Sequence, residues 1–147
     1  GDVYKRQDNS DGTVTDNLTG LIWLKDANCF GTRTWNNALS DANGLASGSC
    51  GLTDGSSAGD WRLPNKNELP SLVHNEYYNP ALPNTAGTGQ WSAGDPFTNV
   101  QSNFYWSSST VALYTGYAWN VYMYDGDVGS GSKTYSYHYV WPVRGGQ

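Results

Sequence analysis

The chain has 147 residues, enough for one domain with a real core, and Asp, Glu, Lys and Arg together make up only 14% of it. Its 18 glycines, with 7 Trp, 11 Tyr and 3 Phe, point to a loop-rich, largely β or mixed domain and exclude an ordinary helical bundle. A net charge of −5 without any Lys/Arg cluster lacks the footprint of a nucleic-acid or anionic-membrane partner, and no apolar run nears the ~20 residues that cross a bilayer.

The first seven residues are unlike the rest of the chain. Residues 2–7 (Asp-Val-Tyr-Lys-Arg-Gln) match one translated frame of a transposon sequencing adapter. Residues 1–7 are therefore set apart as an adapter remnant on a metagenomic fragment, whose own N-terminus and any export signal are missing. Residues 8–147 are taken as the single domain. Asp8 to Asp16 predicts a turn entering a short strand, Asn17 to Gly20 a second turn, and Leu21–Leu24 the partner strand. The acidic opening is a plain turn, because Asp8, Ser10 and Gly12 do not place oxygen ligands at the alternating positions that a calcium loop needs.

Thr34 caps a predicted helix in which Trp35, Ala38, Leu39, Ala42, Leu45 and Ala46 form one apolar stripe, closed at or just before Gly48. Cys29 and Cys50, the only cysteines, flank it as either a disulfide or a pair of buried thiols. Without His or Cys companions at metal spacing, zinc is not expected. A bridge is the preferred reading; it would contribute roughly 3 kcal/mol and imply an oxidising compartment. Asn65 followed by Glu68 has the form of a capping box and starts a second, shorter helix, which Pro70 must kink or delay. Arg62 and Glu68 are read as a structural clamp in preference to a functional ion pair. Residues 75–96 form one long irregular connection, pinned to the core by Trp91 and Phe97.

Phe104 to Arg144 holds 12 of the 21 aromatic residues. It is either an aromatic β core with flexible turns or a binding surface, since Tyr gives large contact area at low entropy cost and Ser, Gly and Asn adapt their hydrogen bonds. In the strand from Tyr117 to Tyr124, alternation assigns Trp119, Val121 and Met123 to the core and Asn120, Tyr122 and Tyr124 to display. The display face continues through an Asp125-Gly126-Asp127 turn and a loop to Ser132, and Tyr135, Ser136, Tyr137 and His138 return along a partner strand. The candidate ligand-binding set is Asn120, Tyr122, Tyr124, Asp127, Tyr135, Tyr137 and His138. No catalytic set emerges. The two histidines, His74 and His138, have no nucleophile motif beside them, and the hydroxyls of Ser107, Ser108 and Ser109 are expected to satisfy backbone groups.

Four separated stretches carry a family resemblance: residues 11–23 (Asp-Gly-Thr-Val-Thr-Asp-Asn-Leu-Thr-Gly-Leu-Ile-Trp), 59–69 (Gly-Asp-Trp-Arg-Leu-Pro-Asn-Lys-Asn-Glu-Leu), 105–109 (Tyr-Trp-Ser-Ser-Ser) and 141–146 (Trp-Pro-Val-Arg-Gly-Gly). In that order they resemble the C-terminal domain of the Legionella collagen-like adhesin over roughly residues 8–147. The resemblance implies an α+β, C-type-lectin-like fold, with two helices packed on twisted antiparallel sheets and long loops. It places Trp61, Arg62, Pro64, Glu68 and Trp106 in the scaffold. It also implies an exported bacterial or phage-encoded module, secreted or at the cell surface, whose partner is a protein or glycan on another cell or surface. A structural tail that forms a homo-trimer is the alternative.

Pro70 departs from the family pattern. The carboxylate set of calcium-dependent sugar binding is missing, because the nearest strings are Leu63-Pro64-Asn65, Leu82-Pro83-Asn84 and Trp119-Asn120-Val121. Neither metal nor cofactor is expected. Formylglycine-generating enzymes share the broad fold but need reactive cysteines in the C-terminal region, and this chain has none after Cys50. Some relatives are targets of diversity-generating retroelements, and nearly every residue from Tyr122 to Tyr139, Met123 and Lys133 excepted, is reachable from the Asn codons that those elements mutate.

Overall fold

The computed structural model describes residues 5–145. Residues 1–4, most of the stretch set apart by sequence, lie outside the described residues, as do Gly146 and Gln147. Two antiparallel sheets carry the fold. The first has the order β1-β2-β3-β7, from Arg6–Asp8, Thr13–Asp16, Leu21–Leu24 and Val143–Gly145; the second has the order β4-β5-β6, from Phe104–Thr110, Tyr117–Tyr122 and Asp127–Ser132. The expected hairpin forms, with Val14 opposite Trp23. Asp16 shapes its turn by accepting from the Leu18 and Thr19 N–H groups. Gln7 and Arg6, excluded from the fold by sequence, extend this sheet as part of β1. Buried Arg6 donates through Nε to Asp16 Oδ2 at 3.2 Å and through an Nη to the Leu72 carbonyl at 3.3 Å.

Among the described residues one α-helix forms, α1 from Trp35 to Asn43, with Gly44 as its C-cap. The predicted stripe therefore outruns the helix, yet Leu45 is still buried beyond its end. Asn65 and Glu68 close the expected capping box: Asn65 N–H donates to Glu68 Oε1 at 2.9 Å and Glu68 N–H to Asn65 Oδ1 at 2.8 Å. The second helix expected there is instead a single 3-10 turn, Leu69–Leu72. Pro70 supplies no N–H for an α-helical bond, and the segment turns back after Leu72. The two-helix expectation is corrected to one short helix on a mostly β frame.

The larger core lies between the sheets and loops, around Trp23, Trp61, Phe97, Tyr105 and Trp141; a smaller one joins α1, through Ala38 and Ala42, to Leu63, Trp106, Ala118 and Val140. Three buried Trp indole N–H groups find acceptors, while that of Trp23 has none among the described residues. Trp106 donates to the Arg33 carbonyl, Trp141 to the Leu24 carbonyl and Trp61 to Ser56 Oγ. Phe97 is buried, and Trp91 donates to its carbonyl at 3.1 Å, pinning the irregular connection as expected. Cys29 and Cys50 form the disulfide, with 5.7 Å between their Cα atoms.

Arg62 grips both oxygens of Glu68, at 2.5 and 2.8 Å, and also donates to the Gly145 carbonyl at 2.9 Å. Burial pushes the Glu68 carboxyl up, but the bonds from Arg62 and the Asn65 N–H outweigh it and hold the group below the usual carboxylate range. Buried Pro64 accepts the Ser108 N–H at its carbonyl, which ties the clamp to β4. These contacts link the 60s turn to a strand of each sheet.

Candidate functional site: the aromatic face of the second sheet

Cross-strand register places Phe104 beside Tyr122, Trp106 beside Asn120, Asn120 beside Gly129 and Tyr122 beside Asp127. Residues directly opposite each other share a face, so one face carries Phe104, Trp106, Ala118, Asn120, Tyr122, Asp127, Gly129 and Gly131. At the Ala118 end the face is covered by α1. At the Tyr122 end it opens into a run of rings. Tyr124 stacks on Tyr122 at 5.8 Å, Tyr122 on Phe104 at 4.5 Å, and Phe104 on His138 at 5.0 Å. From His138 the run passes to Tyr137 at 5.0 Å and on to a stacked Tyr135, also at 5.0 Å. Tyr78 closes the other end, edge-on to Tyr124 at 6.1 Å. Tyr78, Tyr124, Tyr135 and Tyr137 are all exposed, the last at 51%.

Of the seven residues expected to bind, Tyr122, Tyr124, Asp127, Tyr135 and Tyr137 are brought to this surface. Asn120 and His138 are not displayed, and that expectation is corrected: both are buried, and Asn120 Nδ2 donates to His138 Nε2 at 2.8 Å beneath the tyrosines. The His138 ring also stacks on Trp106 at 4.0 Å. Burial lowers its pKa from 6.5 to about 4, so the ring is neutral at pH 7. Alternation misjudged Asn120 because both faces of β5 are covered there, and it had no regular strand to work on at His138, which makes only an isolated bridge to Arg33. Val121 and Met123 enter the larger core while Ala118 enters the smaller. Trp119, expected in the core, is only half-buried.

The Asp127 to Ser132 segment, expected as a loop, is strand β6, and it takes the place of the partner strand expected from Tyr135 to His138. That later segment makes single bridges only, His138 to Arg33 and Tyr139 to Tyr105. Two glycines fit the arrangement. A Cβ at Gly131 would sit 3.1 Å from His138 Nε2, so a side chain there would force the buried pair to give way. Gly126, at φ +87°, closes the β5–β6 turn where a Cβ would meet Val73 Cγ1 at 2.5 Å. Phe104 and Tyr78 were missed as members of the surface. Phe104 lay two residues from Trp106 on the same strand face, a signal that alternation could have used. Tyr78 had none, because its place depends on the irregular connection docking through Asn79 N–H to the Tyr124 carbonyl and Ala81 N–H to the Met123 carbonyl, each at 2.7 Å.

Two of the three serine hydroxyls of β4, those of Ser107 and Ser109, are engaged in structure. Ser107 Oγ donates to the Trp119 carbonyl at 2.7 Å, and Ser109 Oγ accepts the Lys66 N–H at 3.0 Å.

Fold and surface together define a class: a small, disulfide-bonded, two-sheet β domain with one exposed aromatic face. A model of the Lcl C-terminal domain matches residues 12–144, and the chain belongs to that family. No curated protein and no solved structure matches it.

Proposed function

We propose that the domain is a non-catalytic, exported binding module, adhesin- or receptor-like, on a C-type-lectin-like scaffold. It captures a protein or glycan on another cell or surface through Tyr122, Tyr124, Tyr135, Tyr137 and Asp127. The observation that carries this reading is the unbroken run of ring contacts from Tyr124 to Tyr135, exposed at both ends. Stacked tyrosines lose little entropy on binding and offer both an apolar face and a hydroxyl. Asn120 and His138 act beneath them as support. The disulfide fits an oxidising compartment, and no helix among the described residues is long and apolar enough to cross a membrane. Diversification of the Tyr122 to Tyr139 segment is part of the proposal; a flanking locus with no reverse transcriptase and no near-copy of the segment would remove that part alone.

A glycan and protein array probed with the chain and with its Tyr122→Ala/Tyr124→Ala variant tests the reading. The expected result is capture by the first and none by the second, at equal thermal stability. Absence of any capture, together with a trimer in sedimentation, would favour the structural-tail alternative.

A further inference from the structure

Among the described residues, three of the four sheet edges are covered by other parts of the chain. Arg6 of β1 donates its N–H to the Thr85 carbonyl at 2.9 Å. Val143 of β7 exchanges both backbone bonds with Arg62, at 2.9 and 3.0 Å. On β4, Trp106 N–H donates to the Tyr139 carbonyl and Tyr139 N–H to the Phe104 carbonyl. β6 pairs with β5 on one side; on the other, among the described residues, only the carbonyl of its last residue, Ser132, is bonded, by the Tyr135 N–H of the following turn.

The groups left over on β6 follow from strand parity. Tyr117 donates to the Tyr114 carbonyl and accepts from Val111 N–H, and Met123, just past β5, donates to the Asn103 carbonyl. Odd-numbered residues of β5 therefore turn their backbone groups toward β4. Ala118, Asn120 and Tyr122 turn theirs toward β6, where Gly131, Gly129 and Asp127 stand opposite. The N–H and C=O of Val128 and Ser130 point outward. An open edge is normally blunted by lysine, proline, a bulge or a very short strand. β6 is six residues of Asp-Val-Gly-Ser-Gly-Ser, with its one charge at the first position.

Two hollows lie along this edge at alternate residues. One, of about 410 Å³, is formed by Val128 with Trp119, Pro70, Asn67 and Lys66. The other, of about 280 Å³, is formed by Ser130 with Tyr117, Tyr114 and Val111. Val128 and Ser130 are two residues apart, so the spacing matches side chains i and i+2 of an added strand, about 7 Å. The Lys66 ammonium stands 5.7 Å from the Trp119 ring centre, and among the described residues no carboxylate pairs with it. The second hollow is lined by two tyrosines, a valine and a serine.

The geometry points to strand addition: the outer edge of β6 takes an extended peptide segment of another protein as a fourth strand, with an acidic side chain beside Lys66 and Trp119 and an apolar one beside Tyr114 and Tyr117. Backbone bonds to Val128 and Ser130 hold the segment, and the two hollows select its side chains. Of the proposed ligand-binding residues only Asp127 belongs to β6, so the tyrosines and this edge can be broken independently.

The test is an array of end-blocked, threonine-rich peptides in which positions i and i+2 sample every side chain, probed with the full chain. Capture should concentrate on pairs of one acidic and one apolar residue. Ser130→Pro, which removes an outward N–H and no bond to β5, should weaken it roughly tenfold, the loss of one or two backbone hydrogen bonds. Lys66→Glu should transfer the preference from acidic to basic peptides, and this variant decides the matter if Ser130→Pro does not fold. Tyr122→Ala/Tyr124→Ala should leave peptide capture unchanged. The proposal is overturned if no peptide is captured, or if Lys66→Glu leaves the preference where it was. It is also overturned if sedimentation shows a dimer that Ser130→Pro dissolves, since a second copy would then occupy the edge.

Discussion

The two sheets are closed in different ways. In the first, Trp23 and Leu24 of β3 and Val143 of β7 are fully buried and both outer edges are bonded to loops. Trp141, just before β7, packs edge-on to Trp23 and Phe97 at 5.9 and 4.9 Å. In the second, the ring run on one face ends in exposed Tyr124, Tyr135 and Tyr137, and the β6 edge is open. Aromatic content alone says little about role. What separates core from surface is whether a second layer covers the ring, and here the covering pieces are the α1 helix, the irregular connection and the closing strand.

That contrast can be broken most severely from the first sheet. Trp141→Ala removes a fully buried ring and its hydrogen bond to the Leu24 carbonyl; a loss of about 3–5 kcal/mol is expected, read as a fall in the urea midpoint. Reducing the Cys29–Cys50 bridge should cost about 3 kcal/mol, measured by thermal unfolding with and without reductant.

Acid sharpens the comparison from the second sheet. His138 is 1% exposed and its folded pKa lies below its unfolded value. Its stabilising contribution is therefore complete above pH 6.5 and is lost as pH falls toward about 4, to a limit of roughly 3 kcal/mol. The sign follows from proton counting, since the unfolded ring binds the proton that the buried ring refuses. Denaturant midpoints across this window should fall with acid, and His138→Phe should flatten the fall. The smallest effect on folding belongs to Tyr137→Ala, at the exposed end of the ring run. Its melting temperature should match that of the parent chain, whereas its capture of an array ligand should drop.

Much of the frame was legible locally. The β2–β3 hairpin, the capping box at Asn65 and Glu68, and the pinning of the irregular connection by Trp91 and Phe97 all rest on residues close in sequence. Pro70 correctly warned of trouble in the second helix, and only the outcome, a 3-10 turn, needed the structure. β6 was hidden because Gly129, Ser130 and Gly131 carry no strand propensity; a side chain at Gly131 would force His138 to give way. Strand β1 was hidden because Arg6 is held by Asp16 and the Leu72 carbonyl, partners that no local pattern announces. The candidate surface was legible as to its tyrosines. The burial of Asn120 was not, since alternation presumes one open face and β5 has both faces covered there; that of His138 was not, since its segment forms no regular strand.

The central claim is that recognition sits on the tyrosine face and is separable from folding. The most direct measurement is the affinity of the chain for its strongest array ligand, set beside its melting temperature, for the parent and for Tyr122→Ala/Tyr124→Ala. Lost affinity with an unchanged melting temperature is the expected result. Unchanged affinity, or a variant that no longer folds, would contradict the claim.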